Sequence, residues 1–144
     1  MMNASIRKRA LTVFATAAVL AGGTSMLGAG SAYAGPSATF SIGSLQGDGS
    51  RTITVKTGGS TAGTVKWTAN GDKLTASDVK ADGHGISGYV TANPYLIANT
   101  AGHNSPYTDT AQRNLPEDKV YTFWACIGNN NVGLTCSDVV KVTS

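Results

Sequence analysis

The two histidines, His84 and His103, are the side chains best suited to acid–base or metal chemistry in this chain. They lie in the segments Asp82-Gly83-His84 and Gly102-His103-Asn104, whose composition predicts exposed loops. A zinc site needs several converging histidine, cysteine or carboxylate ligands. If the two cysteines pair with each other, two histidines and an aspartate are the largest set available, and nothing in their spacing demands a metal site. We therefore expect neither a metal site nor a cofactor.

Hydrolytic chemistry has little support in the sequence. A serine hydrolase of the common kind carries a G-x-S-x-G motif at its nucleophile, whereas Ser87 lies in Gly85-Ile86-Ser87-Gly88. Glycoside hydrolysis needs two carboxylates that the fold holds close together, and the single glutamate, Glu117, adjoins Asp118 in a predicted turn. We expect that the protein is not an enzyme. One catalytic hypothesis is kept: a hydrolase or toxin that uses the loops around His84 and His103. It requires those two loops to converge in the folded protein.

The segment from Lys119 to Val142 is the best-defined structural element of the sequence. It contains two runs rich in β-branched and aromatic residues around the loop Gly128-Asn129-Asn130-Asn131-Val132-Gly133, where glycine and asparagine tolerate positive φ. Each run holds one cysteine, Cys126 and Cys136, which predicts a β-hairpin closed by a disulfide that contributes on the order of 2–3 kcal/mol. Free thiols or a redox pair are the alternatives, but the chain has no C-x-x-C motif.

Facing cysteines would set the register of this hairpin. They place Trp124 near Asp138, Thr122 near Val140 and Val120 near Val142, and leave Tyr121, Phe123, Ala125 and Ile127 on the opposite face. Both faces of the first strand are therefore apolar, whereas a central strand of a sandwich turns only one face to the core. Either a loop covers Trp124, or Trp124 belongs to a binding surface, where aromatic residues are enriched.

The first 34 residues have the features of a secretory signal peptide. A positive region from Arg7 to Arg9 precedes an apolar stretch from Leu11 to Leu20, and Ser31-Ala32-Tyr33-Ala34 ends in an A-x-A cleavage pattern. A membrane anchor is the alternative, but the apolar stretch is short and several glycines follow it. We expect cleavage after Ala34 and export of residues 35–144 as one extracellular domain with no membrane attachment.

Removal of this segment changes the charge of the protein. The whole chain has 11 basic and 8 acidic residues, and three of the basic residues lie at positions 7–9. The predicted mature chain therefore holds eight residues of each sign and no formal net charge. Because no basic run or basic–aromatic alternation remains, we expect no nucleic-acid partner. Export would also place both cysteines in an oxidising compartment, which favours the disulfide.

The predicted mature domain contains six to eight short strands separated by turns. Alternating or apolar segments predict strands at 38–42, 51–56, 64–69, 87–91 and 95–98, with a shorter strand near Leu74 and the two hairpin runs. Trp67 lies on the apolar face of the third strand, so we expect it in the core. Residues 100–116 are rich in small and polar residues and are predicted as a long ordered loop. The pattern indicates an all-β fold, a small antiparallel immunoglobulin-like β-sandwich with one disulfide, with a small β-barrel as the alternative.

The start of this domain resembles the neocarzinostatin-type apoproteins. The resemblance covers Pro36-Ser37-Ala38-Thr39-Phe40-Ser41, Leu45, Asp48-Gly49 and Ile53-Thr54-Val55, which is about the first third of the domain. Members of that family are small secreted immunoglobulin-like sandwiches that carry a hydrophobic chromophore in a cleft, so the resemblance implies a carrier function. The family has two disulfides, whereas this chain has cysteines for only one.

Two functions are compatible with these features, besides the histidine-loop hydrolase. The first is a secreted, non-catalytic binding module that recognises another extracellular protein, as an adaptor or as an inhibitor. Its predicted binding surface consists of Trp124, the loop tip at Asn129, Asn130 and Asn131, and the region from Tyr95 to Tyr107. The second is a carrier of a small hydrophobic ligand or a carbohydrate, which needs a concave face lined by aromatic residues such as Tyr89, Tyr95 and Trp124.

Overall fold

The computed structural model describes residues 34–129 and 132–144, and this part of the chain contains ten β-strands and no helix. The strands are β1 (Thr39–Ile42), β2 (Arg51–Thr57), β3 (Ser60–Thr68), β4 (Lys73–Asp78), β5 (Gly85–Val90), β6 (Leu96–Asn99), β7 (Tyr107–Gln112), β8 (Val120–Asn129), β9 (Val132–Cys136) and β10 (Val140–Thr143). The predicted signal peptide lies outside the described residues, except for its last residue, Ala34. No helix capable of crossing a membrane occurs in the part of the chain that the structure describes.

Antiparallel pairing arranges these strands in two sheets. The first sheet has the order β1-β2-β3-β4-β7, and the second has the order β10-β8-β5-β6, with β9 pairing to the end of β8. The chain changes sheet after β4, after β6 and after β7. This arrangement confirms the predicted antiparallel β-sandwich with one disulfide. It does not match the alternative of a barrel, because each ladder among the described strands stays within one of the two sheets.

The core lies between the sheets and is built by alternate residues of the strands. Its fully buried members include Ile53, Val55, Val65, Trp67, Leu74, Ile86, Val90, Phe123, Ile127 and Val142. Trp67 is buried as predicted, and its Nε1 donates a hydrogen bond to the backbone oxygen of Thr143 at 2.9 Å. Burial of each large apolar side chain stabilises the fold by roughly 1.5–3 kcal/mol. This core therefore fixes which face of each strand remains outside.

Small residues let the two sheets approach closely at the centre of the core. Gly88 in β5 pairs with Ala98 in β6 on one side and with Ala125 in β8 on the other, so a row of three small residues crosses the second sheet. The side chains of Val65 and Leu74 from the first sheet lie against Gly88, and a Cβ atom there would overlap Val65. This close packing holds β5 and β8 in fixed positions.

β8 and β9 form the predicted hairpin, in which Cys126 pairs with Cys136 and is bonded to it. The predicted register is wrong beyond the disulfide, because Val140 pairs with Phe123 and not with Thr122. The amide of Ser137 still donates to the oxygen of Ala125 at 2.8 Å, so the irregular residues 137–139 insert one extra position before β10.

This extra position decides which side chains of β10 enter the core. A shift of one residue turns every side chain of a strand to the opposite face. The shift points Val140 and Val142 inward and leaves Val139 outside and 60% exposed. The predicted pairs Thr122–Val140 and Val120–Val142 are therefore wrong, and the structure pairs Thr122 with Lys141 and Val120 with Thr143. The predicted pairing of Trp124 with Asp138 lies in the irregular residues before β10.

The predicted loop at 100–116 is also corrected, because its residues 107–112 form β7 at the edge of the first sheet. The segment Tyr-Thr-Asp-Thr-Ala-Gln has little apolar character, so its alternation was not recognised as a strand pattern. Pairing with β4 determines this strand, together with side-chain contacts such as that of Ser77 and Thr108, whose hydroxyl oxygens are 3.0 Å apart.

Candidate functional site

Trp124 lies on the outer face of the second sheet, at the centre of a group of aromatic residues. It is half-buried, and it pairs across the strands with Tyr89 of β5. The two rings are stacked, with centroids 5.2 Å apart and an angle of 10° between their planes. Neighbouring strands lie about 4.8 Å apart, so two nearly parallel rings at this distance stand upright on the sheet. Each ring thus limits the rotation of the other.

Tyr95 covers part of Trp124 from the loop that precedes β6. Its ring is nearly perpendicular to that of Trp124, with an angle of 85° and a centroid distance of 6.2 Å. Edge-to-face packing of this kind is a favourable arrangement for aromatic rings. Tyr95 nevertheless remains 60% exposed, so most of its ring is free to contact a partner. The sequence left open whether a loop covers Trp124. In the structure, Tyr95 of the loop before β6 covers part of Trp124, while Tyr95 itself stays exposed.

Two aliphatic side chains extend this group across the sheet. Ile97 of β6 pairs with Tyr89 and is 47% exposed, and Val139 is 60% exposed and directly precedes Val140, the partner of Phe123, which adjoins Trp124 in β8. We call Tyr89, Tyr95, Ile97, Trp124 and Val139 the aromatic face. The row from Ile97 through Tyr89 to Trp124 crosses β6, β5 and β8, so these three residues are contiguous on the sheet.

Polar pairs border the aromatic face on both sides. The hydroxyl of Thr122 donates to that of Thr91 at 2.9 Å, two residues before Trp124 along β8. On the other side, Ser87 donates to Asn99 at 3.0 Å, close to the disulfide. An apolar centre with hydrogen-bonded polar groups around it is the usual organisation of a protein–protein interface.

The predicted binding residues are only partly brought together. Trp124 and Tyr95 are in contact, as described above, whereas Tyr107 lies in β7 of the first sheet, where its ring stacks on His103 at 3.8 Å. Asn129 is exposed at the end of β8, five positions beyond Trp124, and Asn130 and Asn131 lie outside the described residues. The expectation that Tyr107 belongs to the same surface as Trp124 is therefore corrected, because residues 107–112 join the opposite sheet.

Ile97 was predicted only as a member of the region from Tyr95 to Tyr107, and Val139 was not predicted as a binding residue. For Ile97 the signal was available, since it alternates with the buried residues Leu96 and Ala98 and must point outward. Val139 could not be found in this way, because its exposure depends on the register shift before β10.

The loops around His84 and His103 converge, as a hydrolase or toxin that uses both loops would require. His84 and His103 line one open pocket of about 380 Å³ together with Asp78 and Ser105. The hydroxyl of Ser105 donates directly to the carboxylate of Asp78, and its oxygen also lies 3.0 Å from the backbone oxygen of Lys80.

The contacts in this pocket differ from those of a Ser-His-Asp triad, in which the histidine stands between the serine and the carboxylate. The Nδ1 atom of His84 is buried without a hydrogen-bond partner, and His103 is stacked on Tyr107. Within residues 34–129 and 132–144, no group of three or more histidine, cysteine, aspartate or glutamate side chains is placed to hold a metal ion.

Comparison with known proteins adds no relative to this description. No protein-family model, curated protein or solved structure matches this chain. The resemblance to the neocarzinostatin-type apoproteins stays a prediction.

Proposed function

We propose that this chain is an exported, non-catalytic binding module that recognises another extracellular protein through the aromatic face. The observation that supports this function is the pair of exposed side chains Tyr95 and Ile97 beside the stacked rings of Tyr89 and the half-buried Trp124. Tryptophan and tyrosine are the residues most enriched among those that dominate binding energy at protein interfaces. The disulfide is compatible with an oxidising extracellular environment.

Rigidity supports the same proposal. The side chains of Tyr89, Ile97 and Trp124 stand on strands whose inner faces belong to the core, and the disulfide holds the end of β8. A binding surface on fixed strands loses little side-chain freedom when a partner associates. Tyr95 and Ile97 expose apolar surface beside Trp124, which apolar side chains of a partner protein can contact.

A carrier of a small ligand is the second candidate, and an open pocket next to the aromatic face supports it. The pocket measures about 420 Å³ and is lined by Thr91, Ala92, Asn93, Pro94 and Tyr95. The three aromatic rings, however, pack against one another, so they leave less surface for a flat ligand to stack on. We therefore place protein recognition first.

The experiment that tests the proposal compares three forms of the purified exported protein. The wild type, the double variant Tyr95→Ser/Ile97→Ser and the control Val79→Ser are immobilised and exposed to the culture medium of the producing cells. Val79 is 57% exposed and follows β4 of the first sheet, so its replacement tests the general loss of an exposed apolar side chain.

Protein recognition predicts one stoichiometric protein that the wild type and Val79→Ser retain and that the double variant loses. Equal retention by all three forms would exclude the aromatic face as the binding surface. If no protein is retained and native mass spectrometry finds a small molecule bound to the wild type, the carrier function replaces protein recognition.

A further inference from the structure

The outer face of the first sheet carries an unbroken row of hydroxyl groups. The backbone pairing aligns Ser41, Thr54, Thr64, Ser77 and Thr108, one residue from each of the five strands. These positions alternate with core residues and none of them is buried. Because strands of a sheet lie about 4.8 Å apart, the row offers a hydroxyl at each strand across the whole sheet.

A second row runs beside the first and introduces positive charge. It contains Thr52, Lys66, Thr75 and Thr110, again aligned by the pairing of β2, β3, β4 and β7. The other outward residues of these strands include Thr39, Lys56, Thr68, Lys73 and Gln112. We call this surface the hydroxyl face. It lies on the opposite side of the sandwich from the aromatic face.

The charge of the hydroxyl face is of one sign. Its strands present Lys56, Lys66 and Lys73, all exposed, and no outward carboxylate. In the described part of the chain, none of the three lysines forms an ion pair. One acidic side chain, Asp48 in the loop between β1 and β2, lines a pocket together with Lys66 at the end of the face.

The remaining acidic groups of the strands that form this sheet are directed away from the hydroxyl face. Asp78 is buried and accepts a hydrogen bond from Ser105, while Asp109 accepts one from the backbone amide of Asn99 at 2.8 Å. A protein whose predicted mature chain has no net charge therefore presents a positive surface on one side. Such a surface attracts polyanions.

We propose that the hydroxyl face binds an anionic polysaccharide, a sugar polymer with carboxylate or sulfate groups. This site goes beyond the proposed protein recognition and does not depend on it. Serine and threonine hydroxyls both donate and accept hydrogen bonds, as sugar hydroxyls do, and the lysines supply ammonium donors for the acidic groups. An extended polymer can contact several rows at once.

The spacing of the lysines suits a polymer better than a small anion. Lys66 pairs with Thr75, two residues from Lys73, so the two lysines are diagonal neighbours with backbones roughly 7–8 Å apart. Lys56 lies four residues along β2 from Thr52, the partner of Lys66, which places it roughly 14 Å away. The long side chains of Lys66 and Lys73 can share one small anion, but that anion cannot also reach Lys56, whereas successive acidic sugars can contact all three lysines.

The composition of the hydroxyl face disfavours two other polyanions. Single-stranded nucleic acids are usually held by stacking of their bases on aromatic side chains, and the outward residues of these five strands include no aromatic residue. Peripheral membrane binding usually adds apolar side chains that enter the lipid interface, and this face has none of these either.

A pair of matched variants tests the proposal. Lys56→Gln/Lys73→Gln removes two charges from the hydroxyl face, and Lys119→Gln/Lys141→Gln removes two exposed charges from other surfaces, so both have the same net charge. Binding of the purified protein to polygalacturonate and to heparin is measured by titration calorimetry at low salt. We expect the first variant to lose affinity about tenfold for at least one polymer, since each exposed ion pair contributes a few-fold, and the control to lose less than twofold.

Thr54→Val/Thr64→Val then tests the hydroxyl groups. Valine keeps the shape and the preference for strands of threonine, so the fold remains while the affinity drops several-fold. Equal losses in both lysine variants would overturn the proposal, because the effect would then follow net charge alone. Absence of binding to either polymer, or tighter binding to duplex DNA or phosphatidylglycerol vesicles, would also overturn it.

Discussion

Replacement of Trp124 by alanine distinguishes a surface residue from a core residue. The substitution removes the stacked contact with Tyr89 and the edge contact with Tyr95. Each such aromatic pair contributes about 0.5–1.5 kcal/mol beyond area burial. Because Trp124 is half-buried and faces outward, the cavity left behind opens to solvent. Loss of the buried part of the ring adds about 1 kcal/mol, so we expect the free energy of unfolding to fall by roughly 2–4 kcal/mol.

Trp67→Ala provides the comparison, because Trp67 is fully buried in the core. Truncation of a large buried aromatic residue costs about 3–5 kcal/mol. Loss of the hydrogen bond from Nε1 to Thr143 adds about 1 kcal/mol. Small domains have total stabilities of about 5–15 kcal/mol, so Trp124→Ala should remain folded, whereas Trp67→Ala should be close to unfolding.

Urea unfolding followed by far-ultraviolet circular dichroism measures both values without relying on tryptophan fluorescence. A double-mutant cycle between Trp124→Ala and Tyr95→Ala adds the coupling of the two rings, which should amount to about 0.5–1 kcal/mol. A loss of stability in Trp124→Ala equal to that in Trp67→Ala would refute the reasoning. It would mean that Trp124 supports the fold, and the aromatic face would lose its central binding residue.

Three further predictions concern the scaffold. Gly88→Ala should lower the free energy of unfolding by about 1–3 kcal/mol, because the new methyl group overlaps Val65. Gly47→Ala is the control, since a Cβ there meets no atom within 4 Å, and it should change the free energy of unfolding little in the same urea titration. Replacement of both cysteines by serine should cost on the order of 2–3 kcal/mol, seen as a lower midpoint of thermal unfolding that matches reduced wild-type protein. Hydrogen bonds from the amide and hydroxyl of Ser50 hold the pKa of Asp48 below its ordinary value of 3.8. The ionised carboxylate of Asp48 therefore stabilises the fold above that pH, and this contribution is lost as the pH falls through the lowered pKa. Ser50→Ala removes the hydroxyl donor and keeps the amide, so carboxyl NMR titration should show a pKa for Asp48 that is higher than in the wild type, and an unchanged value would contradict the contribution of the hydroxyl.

Much of the fold could be predicted because its strands carry local patterns. The alternation around Phe40, Ile53 and Trp67 gave the correct inward faces, and the cysteines gave the correct pairing of β8 with β9. β7 was missed because its outward threonines and its single small apolar residue, Ala111, give no clear period. Its partner β4 lies about 30 residues earlier in the chain, at a distance that no local pattern reports.

The candidate site was predictable in part. Trp124 was identified because both faces of β8 are apolar, an excess that requires an explanation. Tyr107 was assigned to the same surface only because it follows Tyr95 closely in the sequence, and the change of sheet between β6 and β7 separates them.

The sequence by itself determined the fold class of this protein, since strand periodicity, turn residues and a cysteine pair are local properties of the chain. It also determined that Phe123 and Trp124 lie on opposite faces of β8, because side chains alternate along a strand, but the tertiary structure decided that the face of Phe123 joins the core. Only the tertiary structure decided which side chains surround Trp124, since Tyr89 reaches it through the pairing of β5 with β8 and Tyr95 reaches it from the loop before β6. The alignment of hydroxyls from five strands was decided in the same way, because register between strands depends on the packing of both sheets against one core.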